Sequence, residues 1–181
     1  AVSYLITGLH VSTSLAASLG IYSSLSLAVW YGIGAYFADR VGRRPLILVG
    51  SAFLVLFPYF YFQALNTRDP SLIIAASLIG PAGGVAYAPI AAFFAEQFPA
   101  RYRYSGAAIS YQLASPLAGG LPPIIGAALV AAYGLSPGWI LVSLMLSAYA
   151  FFSIIATLMT RETMKGILTE KGVEQIGSST V

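Results

Sequence analysis

The sequence predicts an all-α membrane protein, a bundle of transmembrane helices. Three observations carry that prediction. Of 181 residues, 58% are hydrophobic and 8% are charged, where a soluble domain carries about 25% charged and about 45–50% apolar residues. The mean hydropathy is +0.81. Apolar stretches of about 20 residues, enough to cross about 30 Å of hydrocarbon at about 1.5 Å per residue, recur along the chain. So few charges cannot cover a water-facing surface, which excludes an ordinary cytosolic enzyme, a disordered segment and a nucleic-acid-binding module. With no cysteine, neither a disulfide frame nor a thiolate metal site is possible.

Residues 1–7 (AVSYLIT) read as the last turns of an earlier helix, and the start at Ala1 inside apolar sequence points to a segment of a longer chain. Five spans follow, at about 14–37, 45–64, 71–95, 105–133 and 139–160, none with a charged residue in its interior. Together residues 1–160 make the helical bundle, and 161–181 a polar tail. Short connections separate the spans, so they alternate direction. Arg40, Arg43, Arg44, Arg101, Arg103, Arg161, Lys165 and Lys171 fall on one side, and Arg68 alone on the other. Short loops rich in Lys and Arg stay cytoplasmic, which places the arginine-rich loops and the tail there. Aromatic clusters at the span ends, Trp30 and Tyr31, Phe57 to Phe62, and Trp139, fit lipid anchoring at the interfaces.

Glycine and proline are uneven. The third span holds Gly80, Pro81, Gly83, Gly84 and Pro89; the fourth holds Pro116, Gly119, Gly120, Pro122 and Pro123. Proline removes an N–H, and the freed carbonyl must find a partner in a neighbour or in cavity water. These two spans are therefore expected inside the protein, at a cavity or a moving contact. The fifth span, unbroken after Gly138, reads as a lipid-facing support. Ala76, Gly80, Gly84, Ala88 and Ala92, four residues apart, form a small-residue stripe. It is either a static seam or a sliding contact.

Polar side chains inside spans are few, and they mark a candidate substrate pathway: Ser18, Tyr22 and Ser26 on the first span, Tyr87 on the third, Tyr111, Gln112 and Ser115 on the fourth. Serine and tyrosine can be satisfied within a seam, but a Gln amide has four hydrogen-bonding sites to fill. Such a lining suits a small polar organic solute. No Asp, Glu, Lys, Arg or His lies in mid-membrane, so coupling or charge-pairing groups are expected outside this chain. Nothing resembles a catalytic cluster, a metal site or a phosphate loop, and no cofactor is expected beyond protons as the coupling ion.

Two loops concentrate charge. In GIGAYFADRVGRRP, Gly42 permits a tight turn, Pro45 suits a first helical turn, and Asp39 adds nothing to topology. Asp39 can face a helix N-terminus, where negative charge is favoured by about 0.3–1 kcal/mol, and so could latch the first span's end to the fourth's start. In FFAEQFPARYRYSG, Glu96 can pair with Arg101, Arg103 or the first loop's arginines. Asp39, Arg40, Gly42, Arg43, Arg44, Glu96, Arg101 and Arg103 thus make a candidate cytoplasmic gate.

The run ADRVGRRP, through Asp39, Arg40, Gly42, Arg43 and Arg44, resembles the loop motif of the major facilitator superfamily. Ala35 stands at the motif's leading glycine position, with Gly34 beside it, and Phe37 at its leucine. AEQFPARYRYSG resembles a segment of the superfamily's metabolite:proton symporter branch, as does RET at the tail's start. The resemblance implies the C-terminal six-helix bundle of a twelve-helix fold, here five complete spans and the end of a sixth. Its partners are a small-molecule substrate, the lipid bilayer and the N-terminal half of the same transporter. It implies a multi-pass protein of the cell membrane that moves a small carboxylate or zwitterion, with protons, by alternating access. An uncoupled facilitator and a non-transporting receptor or assembly subunit are the alternatives.

Overall fold

The computed structural model describes residues 13–99 and 101–160. The expected helix end at 1–7 and the tail at 161–181 lie outside the described residues. Among the described residues there is no strand. The helices are α1 (Thr13–Val41), α2 (Arg43–Asn66), α3 (Pro70–Ile79), α4 (Ile90–Glu96), α5 (Arg103–Ser115), α6 (Leu121–Tyr133) and α7 (Leu135–Met159). A 3-10 segment, Gly80–Ala86, lies between α3 and α4, and a π segment, Pro116–Gly120, joins α5 to α6.

Four of these stretches are long and apolar enough to cross a membrane: Arg43–Asn66, Pro70–Glu96, Arg103–Tyr133 and Ser136–Met159. The helix α1 has 29 residues, ample for a crossing.

The turns follow from local chemistry. A single residue, Gly42, separates α1 from α2, at φ 108° and ψ 160°. That conformation suits glycine, which has no Cβ to clash. At the opposite end, Asp69 caps α3 and Pro70 opens it. Asp69 Oδ1 accepts from the Ser71 hydroxyl at 2.7 Å and the Ser71 amide at 2.9 Å. Those bonds satisfy helix-start donors and hold the Asp69 carboxyl below its ordinary pKa, the hydroxyl contributing most.

The packing centres on α2, which lies against α1 and, more extensively and about equally, against the broken helix 70–96 and α7. Gly50 of α2 meets Ala86, where an added Cβ would lie 2.6 Å from the Ala86 Cβ. Gly34 of α1 meets the Val85 carbonyl and Ala88. The expected small-residue stripe is not one seam. Gly84 faces Leu27 and Tyr31 of α1, while Gly80 faces Phe57 of α2. Four-residue spacing marks one face only in an α-helix, and the 3-10 segment, with three residues per turn, rotates the register. Polar bonds line the seam with α7: Ser51 and Ser153 hydroxyls 3.1 Å apart, and the Ser147 hydroxyl donating to the Val55 carbonyl.

The apolar core lies at the arginine-poor end. Leu19 (α1), Phe62 and Leu65 (α2) and Ile73 (α3) form it, with Val130 of α6 and Trp139 of α7 packed around them. Towards the arginine-rich end Ala38, Ile47 and Phe93 are buried. No described residue of α5 or α6 is buried. The fourth span thus stands at the edge of this chain rather than inside it, with α6 held on α7 and α5 resting chiefly on α4. The fifth span, α7, packs along α2 and α6.

Two outcomes follow. Gly50→Ala lowers stability in detergent by about 1–3 kcal/mol, since Ala86 backbone cannot give way. Gly126→Ala, whose Cβ meets only Val142 at ordinary contact distance, costs nothing and gains up to about 1 kcal/mol of helix propensity; thermal unfolding of the two variants checks this. The lowered Asp69 pKa makes the α3 cap contribute stability above the unfolded carboxylate range. That contribution disappears as pH falls through the lowered value. Amide exchange at the start of α3 should speed up on acidification, and Asp69→Ala should abolish that pH dependence.

Candidate functional site

The arginine-rich end assembles the two loop motifs. Glu96, closing α4, forms an ion pair with Arg43, opening α2, and their side chains are only 12% and 19% exposed. Each charge sits at the helix end that its own macrodipole disfavours. Pairing offsets both penalties at once. Arg44 points the other way: its Nε donates to the Thr157 carbonyl at 3.1 Å and its Nη2 to the Leu158 carbonyl at 2.6 Å. These are last-turn carbonyls of α7, where donors run short; that of Thr157 also accepts from the Thr160 amide and hydroxyl. Arg40 lies over the Tyr36 ring at 4.2 Å, and Arg101 over Tyr102 at 5.3 Å. Asp39 is exposed at the end of α1, and no bond from it to α5 is found among the described residues. Of the eight expected gate residues, the structure therefore joins Arg43 to Glu96, gives Arg44 to α7, and leaves Asp39, Arg40, Arg101 and Arg103 exposed around the buried turn at Gly42.

Next to this end, two clefts meet. One, of about 330 Å³, is lined by Tyr31, Ala35, Tyr87, Ala88, Ile90, Ala91 and Tyr111. The other, of about 660 Å³, runs along α5 past Arg103, Tyr104, Ala107, Ala108, Tyr111 and Gln112, with Ala91, Phe94 and Ala95 opposite. Tyr111 belongs to both. Its hydroxyl lies 2.6 Å from that of Tyr87, and Tyr87 stacks on Tyr31 with ring centroids 5.4 Å apart. Three tyrosines from α1, the broken helix and α5 thus form one continuous polar-aromatic wall. Its alanines leave room, and Gln112 and the tyrosine hydroxyls offer hydrogen bonds to a small solute.

The other expected pathway residues are placed differently. The Ser26 hydroxyl donates to the Leu78 carbonyl. Tyr22 and Ser115 are exposed, and Ser18 is half-buried on α1, away from the clefts' lining. The expected flexing residues fall in irregular backbone: Gly80, Pro81, Gly83 and Gly84 in the 3-10 segment, Pro116, Gly119 and Gly120 in the π segment. A Cβ at Gly119 or Gly120 would meet nothing within 4 Å. Tyr31 was the residue missed by the sequence, where its place near a span end suggested a lipid anchor. The signal was its register: Leu27, Tyr31 and Gly34 share one face of α1, the face that meets the broken helix.

Residues 1–179 match the profile described as Major Facilitator Superfamily. The chain is 35% identical over 141 residues to the inner membrane metabolite transport protein YhjE of Escherichia coli, covering 77% of this chain and 31% of that protein. It is 31% identical over 135 residues to the shikimate transporter of the same organism, covering 72% and 30%. It is 29% identical over 163 residues to the ectoine/proline transporter ProP of Corynebacterium glutamicum, covering 89% and 31%. The chain spans about a third of the length of these curated relatives. No solved structure matches it.

The Arg43–Glu96 pair carries its own test. Arg43→Ala and Glu96→Ala should each destabilise the arginine-rich end, and the double variant should lose less than the two single losses together. The coupling expected for a largely shielded pair is about 1 kcal/mol, read in a double-mutant cycle of thermal unfolding.

Proposed function

The chain belongs to the Major Facilitator Superfamily, and from that membership we propose that it is the C-terminal helical half of a secondary transporter. It is a multi-pass membrane protein and not an enzyme. In this reading α1 is also a span, giving five complete crossings. The arginine-rich loops and the tail face the cytoplasm, and the membrane is the cell membrane. The transporter moves a small carboxylate or zwitterion together with protons, by alternating access. Relatives named for shikimate, ectoine/proline, proline/betaine and citrate-proton symport support that range.

One observation carries the reading. The clefts that meet at Tyr111 are lined by α1, the broken helix and α5 yet stand open, and the α5 face beside them is exposed. A substrate site shared between two halves of a transporter requires such an open half-wall. Mid-membrane charge is absent on this side, so the proton-handling groups belong to the partner half. The Arg43–Glu96 pair and the exposed Asp39, Arg40, Arg101 and Arg103 sit where a cytoplasmic gate closes. Switching between two states needs only a few kcal/mol, which a small set of such charges can supply.

The test uses the full-length protein in vesicles with shikimate, glycine betaine and citrate as candidate solutes, and a pH indicator inside. Uptake of one of them with simultaneous inward proton movement is the expected result. Gln112→Ala should reduce that uptake about threefold to tenfold, the loss of one solute hydrogen bond. Unchanged uptake at normal membrane levels would remove Gln112 from the pathway. Solute uptake without proton movement would make the protein an uncoupled facilitator.

A further inference from the structure

Pro81 takes one main-chain donor out of the broken helix. Its nitrogen carries no hydrogen, so the Ser77 carbonyl, four residues earlier, loses its α-helical bond, and the Leu78 carbonyl, three earlier, loses the 3-10 alternative. Both are answered from α1. The Ser23 hydroxyl donates to the Ser77 carbonyl at 3.1 Å, and the Ser26 hydroxyl to the Leu78 carbonyl at 2.6 Å. Ser24, between them, does what an intramembrane serine ordinarily does, donating to Gly20 four residues back in its own helix at 2.9 Å.

The same face of α1 continues along the broken helix. Leu27 and Tyr31 close on Gly84, Gly34 meets Val85 and Ala88, and Tyr31 stacks on Tyr87. α1 therefore meets the stretch 77–88 at both ends, at Ser77 and Leu78 and again at Gly84, Val85, Tyr87 and Ala88, while Gly80 and Gly83 between them face α2.

We propose that Ser23 and Ser26 are positioning residues for the solute site. By supplying a donor in place of the N–H that Pro81 lacks and a second bond at the neighbouring carbonyl, they clamp the stretch 77–88 to α1 and set where Tyr87 stands on the cleft wall. A broken helix in hydrocarbon has no water to satisfy its carbonyls. Without the clamp, the segment must rebond within itself, and Tyr87 shifts away from Tyr31 and Tyr111. The proposal rests on the transporter reading of the clefts, since a position matters only if the wall meets a solute.

The experiment compares Ser23→Ala/Ser26→Ala with Ser24→Ala in the full-length protein, each with Pro81 and with Pro81→Ala. Two quantities are read: amide hydrogen exchange across 77–88 in detergent, and the KM and maximal rate of uptake in vesicles with shikimate as the probe. With Pro81 present, the double serine variant should exchange faster across 77–88. Its KM should rise about threefold per hydroxyl, the average worth of an intramembrane hydrogen bond, at a nearly unchanged maximal rate. Ser24→Ala should resemble the wild type, and Ser23→Thr/Ser26→Thr should restore both quantities. With Pro81→Ala, the backbone regains one donor and the effect of the serine changes should shrink. Wild-type exchange in the double serine variant, an equal effect of Ser24→Ala, or an undiminished effect beside Pro81→Ala would each overturn the clamp. Faster exchange with an unmoved KM would overturn the positioning role alone. Absence of uptake by the wild-type protein would sink the transporter reading for this probe and the positioning role with it, while the exchange comparison would still decide the clamp.

Discussion

In hydrocarbon every main-chain carbonyl must find a donor within the protein, and this bundle is arranged around the places where that supply fails. Several irregular points are met by a side chain from another helix. Ser23 and Ser26 donate to the carbonyls before Pro81. Ser147 donates to the Val55 carbonyl, next to the Leu54 carbonyl that Pro58 leaves without its helical donor. The Tyr149 hydroxyl lies 3.5 Å from the Leu117 carbonyl in the π segment. Arg44 serves the end of α7. Interhelical bonds of this kind contribute modestly one by one, about 0.6 kcal/mol on average. Their larger effect is on register, because a hydroxyl that must reach a given carbonyl fixes the axial offset of two helices.

The two ends of the molecule differ in what joins the helices. At the arginine-poor end, apolar side chains from α1, α2, α3, α6 and α7 converge on Leu65, which is fully buried. At the other end apolar burial continues at Ala38, Ile47 and Phe93, and polar contacts join it: one shielded ion pair, one arginine cap and a tyrosine–tyrosine bond. Apolar packing is broad and insensitive to direction, whereas hydrogen bonds and ion pairs are few, directional and separable. The clefts thus lie beside directional contacts as well as apolar packing.

Much of this was legible in the sequence. The helical membrane fold followed from charge scarcity, and the irregular backbone at 80–86 and 116–120 from Gly and Pro placement. Tyr87, Tyr111 and Gln112 stood out because polar groups in apolar spans need partners, and the structure puts all three on the cleft walls. Other features were hidden for physical reasons. Arg44 read as one more loop charge, since no local pattern says that an arginine at one helix start will cap the end of a helix more than 110 residues later. Ser26 looked like pathway lining because composition shows a hydroxyl but not its acceptor, and here the acceptor is main chain. The four-residue stripe misled because it presumed α-helical geometry across a segment that winds more tightly. The exposed fourth span differed from expectation because broken helices seek partners, and a partner need not come from the same stretch of chain.

The serine bonds to Ser77 and Leu78 have a consequence for how this protein can vary through evolution. The acceptors are carbonyls, which every residue possesses, so positions 77 and 78 are free to change without disturbing them. The donors at 23 and 26 are needed most while residue 81 is proline. Selection should therefore tie the identities of 23 and 26 to that of 81, residues linked by no side-chain bond, and leave the residues actually bonded uncorrelated. A covariation map read as a map of touching side chains would place this coupling one helical turn from where it acts.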